Sequence, residues 1–161
     1  TDNITPYGTE AMAIMRIEKG HVAGGELDGR TTPDDLGLNK LISSKKEFIG
    51  RRLLKREGFI DPKRPKLVGL IPIDGKSRIR TGSILVKDPN ASLPMPKLGH
   101  VSSGAYLSPT LKHPISLGLI TGGTDRIGET VWATSPLHGE TNEVKIVDPV
   151  FYDKQGERLN G

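Results

Sequence analysis

Residues 99–120, GHVSSGAYLSPTLKHPISLGLI, hold the pattern on which the fold turns. Gly99–Ala105 and Ile115–Ile120 read as two short strands, and the prolines between them mark a turn. Four more runs of the same kind surround them: Lys66–Ile71, Ser83–Leu85, Glu129–Thr134 and Glu143–Val147. Short strands parted by Gly, Pro and Asp turns at this spacing predict a barrel or a sandwich. The 20 glycines and 12 prolines among 161 residues suit such a turn-rich domain. Hydrophobic residues make up 34% and aromatics 4%, so its core must be aliphatic and compact.

Upstream the signal is different. Residues 9–18 predict a helix, with Ala11, Ile14 and Met15 at helical spacing and Gly20 as its left-handed stop. Thr32-Pro33-Asp34-Asp35 reads as the start of a short helix ending near Gly37. A strand-like Lys40–Ser43 follows, then a basic helix Arg51–Glu57 stopped by Gly58, then a linker, Asp61-Pro62-Lys63-Arg64-Pro65. The expected organisation is therefore two-part, residues 1–60 and residues 61–161. One amphipathic helix and two short ones give the first part no facing layer. It either wraps the β-domain or is the tail of a domain that continues upstream. In the second case the helix 9–18 is expected to pack poorly when isolated, because its apolar stripe has lost its cover.

Composition excludes several functions. Without cysteine there is no disulfide and no thiolate zinc site. No apolar run approaches the ~20 residues that span a bilayer, and the N-terminus lacks a signal-peptide layout. A cytoplasmic protein without a membrane partner is the expectation. The net charge of +4 is concentrated in residues 45–66, with nine basic and three acidic groups. Phosphate binding deserves consideration, yet this stretch offers only Phe48 and Phe59 for base stacking, so a solvated basic face is preferred to a nucleic-acid site. His21, His100, His113 and His138 are isolated and lack metal-ligand spacing. His100 and Ser103 would point to opposite faces of one strand, so with Ser102 they read as structural, and Trp132 and Tyr106 as core or interface anchors.

Glu18 is the anomaly. It continues the apolar stripe of its helix at i+7 from Ala11, at the end where the helix dipole disfavours an anion. A carboxylate in such a place usually has a specific donor, although a pairing with Arg16 or Lys19, or a swing into solvent, would also account for it.

The order of motifs resembles the aminomethyltransferase family, the glycine-cleavage T-protein and its relatives. The resemblance runs through Gly8, Ala11, Arg16-Ile17-Glu18-Lys19-Gly20, Asp28, Thr31-Thr32-Pro33, Phe48-Ile49-Gly50, Val68-Gly69-Leu70, Gly82, Gly99–Gly104, Ser108–Leu111 and Ile115–Ile120. Within it, Tyr7–Met12, Arg126–Val131 and Asp148–Asp153 are most similar to the α-subunit family of heterotetrameric sarcosine oxidases. The resemblance implies a mainly β chain with short helices, an aminomethyltransferase-type C-terminal β-barrel preceded by the tail of the folate-binding domain.

It also implies oxidative demethylation of sarcosine to glycine, with hydrogen peroxide formed and the carbon captured by tetrahydrofolate as methylenetetrahydrofolate. FAD, FMN and NAD would belong to the parent complex and not to this piece. The partners would be the rest of the α subunit and the β, γ and δ subunits. Glu18 matches the family's pterin-binding glutamate, since a carboxylate can accept from adjacent N–H donors of the ring edge. Lys45 and Lys46 are weaker candidates for the folate's carboxylates. No catalytic residue is expected in this chain, because the T-protein's catalytic aspartate lies upstream. Met12-Ala13 stands where the family usually has Arg-Asp. A T-protein or dimethylglycine dehydrogenase end piece, or a stand-alone basic β-barrel interaction module, are the alternative readings.

Overall fold

The computed structural model describes residues 5–160, the side chains of Ala105 and Leu159 excepted. Six antiparallel strands close a barrel: β1 (Pro65–Pro72), β2 (Ile84–Val86), β3 (Lys97–Leu107), β4 (Pro114–Thr121), β5 (Thr130–Ser135) and β6 (Glu140–Val147). Their order around the barrel is β1-β4-β3-β2-β5-β6, and β6 returns to β1 through Gly69 opposite Val147 and Pro72 opposite Val144. All six strands expected from sequence are present, each with its ends moved by a few residues.

The barrel interior is aliphatic, as the composition requires. Val68, Leu70, Leu85, Val101, Ile120, Val131, Val144 and Ile146 fill it, joined by Ile79 and Ala133. β4 is buried along both faces from Pro114 to Ile120. Its inward residues alternate with Ile115, Leu117 and Leu119, which belong to a second apolar cluster outside the barrel. Leu67, Leu36 and Ile17 complete that cluster. The N-terminal segment thus wraps the barrel, covering the outer face of β1 and β4.

The helix of that segment, α1 (Thr9–Glu18), docks through its last turn. Ile17 and Glu18 are buried, whereas Met12 and Met15 are about half exposed. Met15, expected on the buried stripe, faces outward, and the buried seam runs through Ile17 instead.

Three local expectations are corrected. Thr32 and Asp35 do cap one another, Thr32 N–H to Asp35 Oδ2 at 2.8 Å and Asp35 N–H to Thr32 Oγ1 at 3.3 Å. The turn ends at once, however, because Gly37 adopts φ +72. Lys40–Ser43 is not a strand but passes through a 3-10 turn, Asn39–Leu41. A closed barrel offers no free edge for it to join. Arg51–Glu57 is not a helix. A 3-10 turn at Leu53–Lys55 is followed by extended Arg56 (ψ 143), and the short α2, Glu57–Ile60, contains Gly58 rather than stopping at it. Arg51, Arg52, Lys55 and Arg56 would repel one another at helical spacing.

The expected linker is also tied down. Arg64 grips Asp35 through Nε at 3.0 Å and Nη2 at 2.6 Å, and it donates to the Gly58 carbonyl at 3.1 Å. Among the described residues no helix is long and apolar enough to cross a membrane.

Gly99 shows how close the strands lie. A Cβ there would meet the Leu119 carbonyl oxygen at 2.1 Å and Ile120 Cα at 2.8 Å, both backbone atoms that cannot swing away. Gly99→Ala is expected to destabilise the barrel by about 3 kcal/mol through overpacking. Urea denaturation would show the lowered midpoint, and an unchanged midpoint would mean that β3 and β4 can part at little cost.

Candidate functional site

The site is built from the end of α1, the β3–β4 turn and the tail that follows β6. Gly20 closes the helix at φ +70, packed so tightly that a Cβ would lie 2.6 Å from the Pro149 carbonyl oxygen. Immediately before it, the Glu18 carbonyl accepts the N–H groups of Phe151 at 2.9 Å and Tyr152 at 3.0 Å. Lys19 reaches the Asp153 carboxylate at 3.0 Å. Helix end and tail are therefore clasped together, and the clasp fixes where Glu18 begins.

The Glu18 side chain is buried, with 6% exposure. Its Oε1 accepts the Ser108 hydroxyl. Ser108 is fully buried in the turn between β3 and β4, and its oxygen accepts the Leu111 N–H at 2.9 Å. That second bond fixes the hydroxyl proton toward Glu18. Among the described residues Glu18 Oε2 has no partner, and it is not sealed off from solvent. Neither Arg16 nor Lys19 pairs with it: Arg16 turns to Glu26 and Lys19 to Asp153. A nearly buried carboxylate with one oxygen fixed, one open and no cation beside it is suited to accept N–H donors from outside the chain.

Lys45 and Lys46 are placed differently. Both are exposed on a turn whose N–H groups bond the Ser43 hydroxyl, at 3.2 and 3.0 Å. Lys46 borders an apolar hollow with Pro33, Leu41 and Phe48, in which Glu18 takes no part.

A second buried carboxylate escaped the sequence reading. Glu26 has no exposed surface. Its Oε1 accepts the hydroxyls of both Ser102, at 2.6 Å, and Ser103, while Oε2 accepts the Ala23 N–H at 2.8 Å and faces Arg16 at 3.5 Å. Arg16 also donates to Ser103 Oγ at 2.7 Å. Neighbouring side chains of a regular strand point to opposite faces, so two adjacent serines could not share one oxygen. A register shift in β3 between Val101 and Ser103 removes that constraint. The same bulge overturns the parity argument used for His100 and Ser103. Both serines nonetheless stand in a structural network, with Ser103 committed to Glu26 and Arg16. The neighbouring Gly25 lies so close to β3 that a Cβ there would strike the Ser102 carbonyl at 2.5 Å.

His100 borders a hollow of about 570 Å³ with Arg30, Arg64 and Lys97. Burial, then the nearby Lys97 and Arg30 charges, lowers its pKa below the ordinary 6.5. Tyr106 packs against the outer cluster, and Trp132 borders a shallow hollow with Ile73 and Asp74. Among the described residues no group of three His, Asp or Glu could hold a metal ion.

The Lys19 clasp carries a pH dependence. Its hydrogen bond, with smaller help from the Arg158 and Glu157 N–H groups, holds the Asp153 carboxyl below the ordinary 3.8. A lowered folded-state pKa means the contribution is complete above 3.8 and is lost as pH falls through the lower folded value. The protection of the Phe151 and Tyr152 amides, relative to their intrinsic exchange at each pH, is expected to fall only in that acid range, and to be low already at neutral pH in Lys19→Ala. Equal protection in both proteins would show that the clasp does not hold the tail.

A closed six-stranded antiparallel barrel with a helical segment packed on its outer face defines the class as a small β-barrel domain. Residues 66–153 match the family model of the glycine cleavage T-protein C-terminal barrel domain, and the chain belongs to that family. It is 45% identical over 159 residues to the sarcosine oxidase subunit alpha of Rhizobium meliloti (strain 1021), covering 98% of this chain and 16% of that one. It is 38% identical to the subunit alpha of Corynebacterium sp. (strain U-96), covering 99% of this chain. An aminomethyltransferase of Synechococcus sp. (strain RCC307) is 29% identical over 96% of this chain and 41% of its own length. The crystal structure of the glycine cleavage system aminomethyltransferase T from Bartonella henselae superposes with a TM-score of 0.67 over 89% of this chain and 38% of that one, at 21% identity, a likeness of fold. The chain spans about a sixth (16%) of the sarcosine oxidase subunits it matches.

Proposed function

We propose that this chain forms one wall of a tetrahydrofolate site in a sarcosine oxidase α subunit, with Glu18 accepting the N–H groups of the pterin edge. The observation that carries the proposal is the half-satisfied Glu18 carboxylate, buried without a cation and with Oε2 open. The relatives named as sarcosine oxidase subunits and aminomethyltransferases support it. Residues 1–60 are then the tail of the folate-binding domain and residues 61–161 its C-terminal barrel.

The residues present fit such a ligand. Glu18 Oε2, and Oε1 beside it, offer a paired acceptor to adjacent donors. Ser108 fixes the carboxylate plane, and the clasp through Phe151 and Tyr152 fixes the helix end. Lys45 and Lys46 enter on charge alone, as contacts for the carboxylates of the folate's glutamate. When bound, tetrahydrofolate supplies the amine that takes up the one-carbon unit. The chain's own part is to orient the ring and exclude water.

In the parent enzyme, an oxidoreductase acting on a CH–NH donor, sarcosine is demethylated to glycine at a flavin with release of hydrogen peroxide. FAD, FMN and NAD sit outside this chain, and the β, γ and δ subunits and the rest of the α subunit complete a cytoplasmic complex. The chain alone is not catalytic. The test uses the assembled enzyme turning over sarcosine with tetrahydrofolate present. Glu18→Ala is expected to release formaldehyde in place of methylenetetrahydrofolate while peroxide forms at the usual rate. Product partition identical to the unaltered enzyme would sink the assignment, and so would a binding preference for single-stranded RNA, which favours an interaction module.

A further inference from the structure

The hollow beside His100 lies near the start of β3, at the far end of that strand from Ser108, and Glu18 takes no part in it. His100 pairs with Leu119 of β4 and with Ile84 of β2, and side chains paired across neighbouring strands stand on one face of the sheet. Leu119 belongs to the outer apolar cluster, so that face is the outside of the barrel. Residues from the 28–35 segment, together with Arg64, form the opposite wall. The space between them is about 570 Å³, within the ~300–1,000 Å³ of small-molecule sites.

Both acids on this wall are already satisfied. Asp28 Oδ1 accepts the Arg30 N–H at 2.9 Å, and its Oδ2 accepts Arg30 Nε at 2.7 Å and also Nη2. Asp35 holds Arg64 through both oxygens and takes the Thr32 N–H as well. Among the described residues the open groups are donors: the Lys97 ammonium, Arg30 Nη1 and the His100 ring N–H. Ile84, Leu98 and Leu119 supply the apolar part of the wall, and no aromatic ring lines it.

We propose that this hollow binds a small organic carboxylate, its oxygens taken by Lys97, Arg30 and His100 and its apolar body lying on Ile84, Leu98 and Leu119. Open donors without an open acid select an anion. A bare phosphate or sulfate would leave the aliphatic wall facing water, and a nucleic acid would find no ring to stack on. Burial first, and then the Lys97 and Arg30 charges, disfavour a proton on His100, against the pull of Asp28 and Glu26. Arg64 and Asp35 offset each other across their ion pair. A carboxylate beside the ring opposes the cations, so binding takes up a proton there.

The test irradiates para-azidobenzoate with the full-length subunit in its native assembly and maps the labelled peptides. Label is expected on the peptides of Ile84, Leu98 or Leu119, displaced by benzoate and not by inorganic phosphate at equal concentration. Lys97→Met is expected to lower that label about tenfold, through loss of one charge-assisted hydrogen bond. His100→Asn keeps a donor but is expected to abolish the rise in label between about pH 8 and about pH 6 that proton uptake produces. Lys97 is exposed, so an unchanged melting temperature in its variant separates lost binding from lost folding. Absence of label from those peptides overturns the proposal, and so does equal label in Lys97→Met. Phosphate that competes as well as benzoate, or a pH profile that His100→Asn leaves intact, overturns it too. No folate enters the assay, so failure here leaves the role of Glu18 standing.

Discussion

Glu26→Ala is expected to destabilise the protein by about 4 kcal/mol, the largest effect of any single side chain outside the barrel interior. The residue is fully buried and collects donors from Ser102, Ser103, Ala23 and Arg16. Removing it leaves two buried hydroxyls and one backbone N–H without an acceptor, each costing about 1–3 kcal/mol. Arg16 retains a quarter of its surface in water and contributes less. Glu26→Gln keeps the shape but turns an amide donor toward Ala23 or toward the serines, and about half the loss is expected. Urea unfolding measures both. A shift below about 1 kcal/mol in Glu26→Ala would mean that water replaces the carboxylate, and the network would then have no special weight.

Glu18→Ala is expected to act on binding more than on stability. Two charge-assisted hydrogen bonds to a pterin edge are worth about 3 kcal/mol together, so folinic acid should bind about 100-fold more weakly to the variant subunit. Stability should change much less than for Glu26, since Glu18 holds one hydroxyl where Glu26 holds four donors. Ser108→Ala separates contact from positioning. It leaves the carboxylate in place but free to rotate, and about a tenfold loss is expected. Calorimetry on the assembled enzyme reads all three proteins. Equal affinity in Glu18→Ala and the unaltered enzyme would remove Glu18 from the site.

The barrel was legible because its signals are local. Glycine and proline punctuate six aliphatic runs, and the closed sheet uses each of them. That Glu18 would be buried with a specific donor was legible for a related reason, since a carboxylate on an apolar helix face violates a simple pattern. Residues 33–57 were harder. Their helical and strand propensities are genuine, but an i+4 repulsion among Arg51, Arg52, Lys55 and Arg56 and the lack of a free sheet edge override them. Glu26 was invisible because its two serine partners are 76 and 77 residues away and depend on a bulge that no periodicity announces. The Arg64–Asp35 clasp was hidden by the two prolines around it, which suggested a free linker where the chain is pinned.

The closing pair of the barrel has a consequence for how the molecule is made. β1 finds its last neighbour in β6, so the sheet stays open until residues near Val147 have left the ribosome. Contacts that distant in sequence form slowly, in the millisecond-to-second range typical of such topologies. The Glu18 anchor comes later still, because it requires Phe151 and Tyr152. A nascent chain therefore completes its container before its recognition corner. A stall or a stop codon between residues 148 and 150 would yield a barrel that folds with Ser108 still on the Glu18 carboxylate but with the helix end unclasped.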